Sequence, residues 1–338
     1  MISLVIPTRN RQAYLARALS YYAQQGWPYR ILIADSSDSE IAESNERGIA
    51  AISGLDVVYQ KYPASTPFGD KVADIFVRVT TIYSLMSGDD DFFVPDTVGE
   101  AARFLDEHPE YRVVNGKALL FKTEGGPHGD LGLMTPYAQR SLEAGSAALR
   151  LVEHLSSYTT TFYGLHRTGE WLDVWRTTNS MRPDNQFIEL TQTALSVAAG
   201  KVKTLPHLFM ARQQVDAKDY SIESPDRWRR NPDWPRQAKL FSEYVGAVVA
   251  SADRVTPEDG RAAAAAALDA YVTAQVPDWS HPLRRLRRLA RRSRTLRKGW
   301  RSVESARSKA LTAALRSDDR DRAALSRIER AVQVGNPA

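Results

Sequence analysis

Ser87-Gly88-Asp89-Asp90-Asp91-Phe92-Phe93 decides how the rest of the chain is read. It follows the apolar run Ile82-Tyr83-Ser84-Leu85-Met86, which reads as a short buried strand. Three adjacent carboxylates repel one another, and burying any of them unpaired is costly. No Arg/Lys cluster lies beside the triplet in sequence. A divalent cation is then the simplest compensating charge, and hard oxygen ligands suit Mg²⁺ or Mn²⁺. The plain alternative is a solvated acidic loop. Placement at the end of an apolar run, with Phe92 and Phe93 directly behind, favours the metal.

Upstream of the triplet the pattern alternates. Ser3-Leu4-Val5-Ile6 is continuously apolar, as in a strand buried on both faces of a parallel sheet, and ends at Pro7-Thr8-Arg9-Asn10. Tyr14, Leu15, Ala18, Leu19 and Tyr22 recur at helical spacing, with Gly26 and Pro28 as stop signals. Arg30 to Ala34 is a second strand, ending at Asp35-Ser36-Ser37-Asp38; a polar helical stretch runs to about Ser53, and Leu55 to Tyr59 is a third strand. Strand–helix–strand–helix–strand in sixty residues predicts right-handed βαβ units in a parallel sheet. Ligands bind such sheets at the carboxyl ends of the strands. There the chain places Thr8-Arg9-Asn10, Asp35-Ser36 and Asp89 to Asp91. The first of these loops contains no glycine, which excludes the dinucleotide fingerprint and the phosphate loop of nucleoside triphosphatases. Gly69-Asp70-Lys71 enters a helix carrying Val72, Ile75, Phe76 and Val79 on one face. A cation near a helix start is disfavoured, so Lys71 is either solvated or faces a phosphate.

Downstream, Pro95-Asp96-Thr97 opens a helix to about Glu107. Tyr111 to Asn115, Ala118 to Phe121 and Thr159 to Arg167 read as strands, and the Gly- and Pro-rich stretch Gly125 to Tyr137 as a loop. His166 reads as structural, and Trp171 and Trp175, at helical spacing, as core. Asp184 suits a helix N-cap and Glu189 the first turn of a helix that ends at Gly200. Lys201 to Leu205 reads as the last strand, followed by Pro206 to Arg212. A linker spans Ser221 to Pro235, and residues 236–275 and 283–334 read as helical.

The chain has 338 residues and no cysteine, which rules out disulfides, zinc–thiolate sites and thiol nucleophiles. The length and the change of pattern near 220 predict an α/β domain over 1–220 and a helical region over 221–338. Ten basic residues and no acid lie between Arg284 and Arg301; subtracting these ten from the net charge of +5 leaves the remainder at −5. The body is therefore mildly acidic, and the basic character belongs to one segment, 283–303, with a leucine stripe. Such a segment fits an anionic membrane face, or a helix pairing with the acidic body or with a second copy in a homo-oligomer. A nucleic-acid backbone is the weakest of these readings. Neither a signal peptide nor a transmembrane run is evident, so the expected location is cytoplasmic, peripheral at the inner membrane face if the basic segment docks there.

Several of these stretches resemble the family 2 glycosyltransferases. Val5-Ile6-Pro7-Thr8-Arg9-Asn10 resembles that family's opening strand and Pro-Thr-x-Asn turn, Ile31 to Ser37 its second strand and acidic turn, and Asp89-Asp90-Asp91 before Pro95 its Asp-x-Asp motif. Lys71 and Phe92 match the subgroup with a lysine about eighteen residues before the triplet and a phenylalanine just after it. The resemblance covers roughly residues 1–215. It departs from the family in two places: Ser36-Ser37 replaces a glycine-containing turn, and Ile188 precedes Glu189 where the family carries a Glu-Asp pair.

The resemblance implies the GT-A fold, a Rossmann-like, mostly parallel central sheet with flanking helices, here with a C-terminal helical extension. It implies an inverting, metal-assisted transfer from a nucleoside-diphosphate sugar to an acceptor hydroxyl on a glycan, a lipid-linked glycan or a protein, with Mn²⁺ or Mg²⁺ as cofactor. Pro7, Thr8, Arg9, Asp35 and Ser37 would surround the nucleoside, Asp89 would sit at the ribose, and Asp90 or Asp91 would hold the metal, since the triplet satisfies the motif in more than one register, with His207 as a further ligand. Lys71 and Arg212 would reach phosphate. Asp184 and Glu189 are equal candidates for the base. Two other functions fit the fold: a non-catalytic sugar- or partner-binding module, and a nucleotidyltransferase, which would want a Gly-rich first loop.

Overall fold

The computed structural model describes residues 1–124, 126–132, 134–214, 225–275, 305 and 308–333. The basic stretch Arg284 to Arg301, and with it the amphipathic segment expected over 283–303, lies outside them. In chain order the elements are β1 (Ile2–Thr8), α1 (Gln12–Gln24), β2 (Arg30–Asp35), α2 (Ser39–Ala51), β3 (Val57–Lys61), α3 (Phe68–Val77), β4 (Tyr83–Met86), β5 (Phe92–Phe93), α4 (Pro95–Glu107) and β6 (Tyr111–Phe121). There follow β7 (Thr123–Glu124), β8 (Asp130–Leu131), β9 (Thr135–Tyr137), α5 (Ala147–Ser156), β10 (Leu165–Arg167), α6 (Thr168–Ser180), α7 (Asn185–Ala199) and β11 (Lys201–Gln213). The chain continues with α8 (Pro225–Trp228), α9 (Trp234–Asp253), α10 (Pro257–Gln275), helical residues 308–317, and α11 (Asp319–Gln333).

The molecule is a mixed α/β fold with one nine-stranded sheet, ordered β3-β2-β1-β4-β10-β6-β11-β5, with β9 on β6. Strands β3, β2, β1, β4, β6 and β11 run one way; β10, β5 and β9 run the other. The mostly parallel expectation therefore holds for β1 to β4, β6 and β11 and is broken by the three short strands β5, β9 and β10. Alternation along β1 assigns its side chains to opposite faces. Leu4 and Ile6 join a core with α1, α4 and α11, whereas Val5 joins Val72, Ile75 and Phe76 of α3 and Trp171 and Trp175 of α6. His166 stacks on Trp171 with ring centroids 3.8 Å apart, buried as a structural residue.

Four local readings differ from the structure. Tyr111 to Phe121 is one strand, because Gly116 and Lys117 continue the ladder opposite β11 instead of breaking it. Strand β11 runs on to Gln213. Pro206 has no N–H to give, and the ladder accommodates it with register shifts between Leu205 and Met210. The loop expected from Gly125 to Tyr137 contains β8, which pairs with β7 just before it, and β9. Of the strand expected from Thr159, only Leu165–Arg167 pairs, because the chain turns at Thr161–Gly164, where the Gly164 N–H bonds the Thr161 carbonyl.

The helical region shares its cores with the N-terminal part. Phe241, Val245 and Val249 of α9 and Ala264, Ala267 and Leu268 of α10 pack with Leu151 of α5 and Phe187, Leu190 and Ala194 of α7. The alanine run serves this contact: a Cβ on Gly260 would lie 2.3 Å from the Gly246 carbonyl oxygen, so α9 and α10 meet backbone to backbone. Leu325, Ile328 and Val332 of α11 enter the first core. No helix among the described residues is long and apolar enough to cross a membrane.

Candidate active site

The β-sheet register builds the site. Thr8 sits opposite Asp35, and Val5 opposite Met86, so the ends of β1, β2 and β4 are neighbours at one sheet edge. The Ser87 N–H bonds the Val5 carbonyl, after which the chain turns through Asp89 and Asp90 and re-enters the sheet as β5. Strand β5 pairs antiparallel with β11, Phe92 against Ala211, and this brings Arg212 and Gln213 to the triplet.

All three aspartates are buried, at 3%, 6% and 1% exposure, so each needs a partner. Thr8 Oγ1 donates to Asp89 Oδ2 at 2.7 Å. Arg11 bridges two carboxylates, with Nη1 3.0 Å from Asp89 Oδ1 and Nη2 2.6 Å from Asp90 Oδ2. Arg17 donates to the Asp90 carbonyl at 3.2 Å and also reaches Pro127 O and Gln213 Oε1. Asp91 Oδ1 accepts from the Gln213 N–H at 3.0 Å, and its Oδ2 is 3.8 Å from Arg212 Nε. Burial pushes the Asp89 and Asp91 carboxyls well above the usual carboxylate range; Arg11 opposes this at Asp89, and Arg212 at Asp91.

Sequence reasoning missed Arg11 and Arg17. Their partners lie 79 and 73 residues away, beyond any local search for compensating charge. One signal was available: Arg17 falls on the apolar face of α1, among Leu15, Ala18, Leu19, Tyr21 and Tyr22, where a buried cation needs an acid.

Residues that fit a cation are nevertheless present. A Cβ on Gly88 would lie 2.7 Å from Asp90 Oδ1 and 3.0 Å from Asp91 Oδ2. Those two oxygens therefore face the same small space, one from each residue, as hard donors for Mg²⁺ or Mn²⁺.

Around this centre the other expected residues take distinct places. Lys71 is buried, donating to Thr8 O at 2.9 Å and Ser36 Oγ at 2.7 Å; burial pulls its amine down to about 8. Arg9 is exposed on the same loop and Pro7 half-buried. Ser37 Oγ accepts the Asn10 N–H at 2.8 Å, tying the first two loops together. Asp35 is spent inside the fold, accepting from Ser37 N, Asn45 Nδ2 and Tyr59 OH, each at 2.7 Å.

The two candidate bases separate. Both oxygens of Asp184 serve structure: Oδ1 caps α7 by accepting the Phe187 N–H, and Oδ2 accepts from Trp228 Nε1, each at 2.8 Å. Glu189, one turn further on, accepts from Tyr158 OH at 2.8 Å. It shares the field of Arg212 with Asp91, Tyr137 and Tyr163. Burial disfavours the Arg212 charge, and those four groups outweigh it. The guanidinium lies 4.4 Å from the Tyr163 ring centre and donates to Tyr137 OH at 2.9 Å.

His207 is not brought to Asp90 or Asp91. It lies in the irregular part of β11, five residues before Arg212, with Nδ1 3.9 Å from Asp321 Oδ1. His207, Asp318 and Asp321 form a separate group, whose ligand atoms lie within 4.8 Å of one another. Asp321 there is paired with Lys117 at 2.7 Å and accepts the Leu208 N–H at 2.6 Å.

No family model matches the chain, and no curated protein matches it. Among solved structures, it is similar to residues 1–349 of TarS from S. aureus, at 16% identity over 81% of this chain and 90% of that one, with a TM-score of 0.45. The same TarS piece in complex with UDP-GlcNAc gives the same values. The mannosyltransferase PcManGT from Pyrobaculum calidifontis, in complex with GDP-Man and Mn²⁺, is 14% identical over 98% of this chain and 84% of that one, with a TM-score of 0.43.

Proposed function

We propose that the chain is a glycosyltransferase that moves a sugar from a nucleoside-diphosphate sugar to an acceptor hydroxyl with inversion. The observation that carries this reading is the convergence of Asp90 Oδ1 and Asp91 Oδ2 on the space above Gly88, at the sheet edge where Thr8, Lys71 and Arg212 also end. Carboxylates that share a cradle beside fixed cations suit a metal-bound diphosphate.

In this reading Asp90 and Asp91 hold Mn²⁺ or Mg²⁺, which supplies Lewis-acid stabilisation of the leaving nucleoside diphosphate when bound. Asp89 lies at the ribose. Asn10 and Ser37, already joined, line the nucleoside with Pro7, Thr8 and Arg9. Arg212, held between Tyr137 and Tyr163, presents a fixed positive charge to the β-phosphate without losing side-chain freedom on binding. Glu189 takes the proton of the acceptor hydroxyl, and its hydrogen bond from Tyr158 orients the free oxygen. Asp184 is the less suitable base, because both its oxygens are occupied. His207 is set aside as a ligand of this metal because it faces Asp321.

The test is release of nucleoside diphosphate from a panel of nucleotide sugars in Mn²⁺, followed by NMR of the anomeric product. One donor turned over with inversion, with loss on Glu189→Gln, supports the reading. A folded protein that turns over no donor leaves a sugar- or partner-binding module as the better account.

A further inference from the structure

The three arginines at the acidic triplet are not held alike. Arg17 is buried, at 3% exposure, and donates to three separate acceptors from Pro127, Asp90 and Gln213. Arg212 is clamped by two tyrosines. Arg11 is different. It is the residue before α1, at the rim of the site, with its side chain 28% exposed, over the Tyr14 ring at 4.3 Å. Its contacts with Asp89 and Asp90 are both to carboxylate oxygens. Asp89 Oδ1 is buried and makes no hydrogen bond; its ion pair with Arg11, at 3.0 Å, is what answers its charge.

A divalent cation and Arg11 therefore compete for one set of charges. The three carboxylates face three guanidinium groups, Arg11, Arg17 and Arg212, so adding a dication over Asp90 and Asp91 while Arg11 stays would leave two positive charges in excess. We propose that Arg11 is an exchangeable counterion: it holds Asp89 and Asp90 together in the ligand-free protein, leaves them when the dication binds, and then pairs with the diphosphate of the donor at the same rim. Its place before α1 and its bonding to carboxylate oxygens permit that exchange, whereas Arg17 is held by three acceptors and Arg212 by two tyrosines. The ordering has a consequence. The metal binds weakly alone and tightly together with a nucleoside diphosphate, because only the diphosphate gives the displaced guanidinium a new partner. This inference rests on the metal–diphosphate reading of the site.

The experiment is Mn²⁺ titration of the full chain by calorimetry, without and with UDP or GDP, for wild type, Arg11→Met and Arg11→Gln. The expected result is at least tenfold tighter Mn²⁺ binding without nucleotide in both variants. Nucleoside diphosphate binding in saturating Mn²⁺ should be at least tenfold weaker. Thermal melting adds a second readout: Arg11→Met should melt lower than wild type in EDTA and recover on adding Mn²⁺, as a lost counterion replaced by another predicts. Mn²⁺ affinity unchanged or weaker in both variants, with wild type binding normally, would overturn the counterion role alone. If neither wild type nor Arg11→Gln binds Mn²⁺ at millimolar concentration, the metal reading of the triplet itself fails. Adding Asp91→Asn to Arg11→Gln should abolish the tight Mn²⁺ site; retention would place the ion elsewhere and also overturn the proposal.

Discussion

At the scale of single residues, the site divides groups that sequence spacing leaves equivalent. Asp184 and Glu189 are five positions apart near the start of one helix, yet one caps that helix and the other accepts a hydrogen bond from Tyr158. Glu189→Gln should lower kcat by roughly 10²–10⁴-fold with little loss of stability, as removal of a general base does. Asp184→Ala should instead cost about 1–2 kcal/mol in urea unfolding, the usual worth of an N-cap, and change kcat much less than Glu189→Gln does. Equal kcat losses in the two variants would contradict the assignment. A second residue-scale prediction concerns His154 and His166. Burial pulls both imidazoles down to about 3, so each stays neutral in the folded chain while the unfolded chain takes up a proton near pH 6.5. Each therefore contributes stability that is complete above about pH 6.5 and declines as pH falls from there toward 3. Asp89 and Asp91, held above their ordinary range, act in the opposite sense. The check is thus a difference between proteins. On going from pH 7 to pH 5, wild type should lose about 2 kcal/mol more than a folded His166→Asn variant. Parallel pH curves would refute the neutral, buried imidazole.

At the scale of elements, the strands that read most clearly are those with one physical cause. β1 and β2 are continuous apolar runs, buried on both faces by α1 and α3, and α4 runs from Pro95 to Glu107 as its sequence predicts. The strands that read poorly are shaped by their partners. Gly116-Lys117 looks like a break and Pro206-His207 like an end, yet β6 and β11 pair along most of their length and carry these residues through as irregularities. The pairing of the triplet with its counterions is hidden for a similar reason: Arg11, Arg17 and Arg212 are brought to it by topology, from the start of α1 and from β11. Asp321 shows how such an irregularity is kept. Its buried carboxylate accepts the Leu208 N–H freed by the register shift and pairs with Lys117. Asp321→Ala should cost about 1–3 kcal/mol, the penalty for an unsatisfied buried N–H, and the loss should appear in urea unfolding. A change below about 0.5 kcal/mol would show that the bulge satisfies itself by another route.

At the scale of the whole molecule, α9, α10 and α11 share their cores with the sheet and its flanking helices. α11 places Leu325, Ile328 and Val332 in the core beneath β1 and α1, each contributing about 1.5–3 kcal/mol by burial. That sum is comparable with the stability of an entire domain. A chain ending before residue 305 should therefore be largely unfolded by circular dichroism and lack a cooperative melt. A truncated chain that melts cooperatively near the wild-type temperature would assign α11 a role outside the fold. The site depends on this assembly. Arg212 and Gln213 reach Asp91 only because β11 runs past its irregularity, and that irregularity is held by Asp321 of α11. The proposed function makes the acidic triplet a metal-dependent diphosphate site. It is tested most directly by calorimetric titration of UDP, GDP and other nucleoside diphosphates into the full chain, in Mn²⁺ and in EDTA, for wild type and Asp91→Asn. One nucleotide binding in Mn²⁺, at least a hundredfold weaker in EDTA, with that metal dependence abolished in Asp91→Asn, is the predicted result. Equal affinity in Mn²⁺ and EDTA, or full metal-dependent binding by Asp91→Asn, would contradict it.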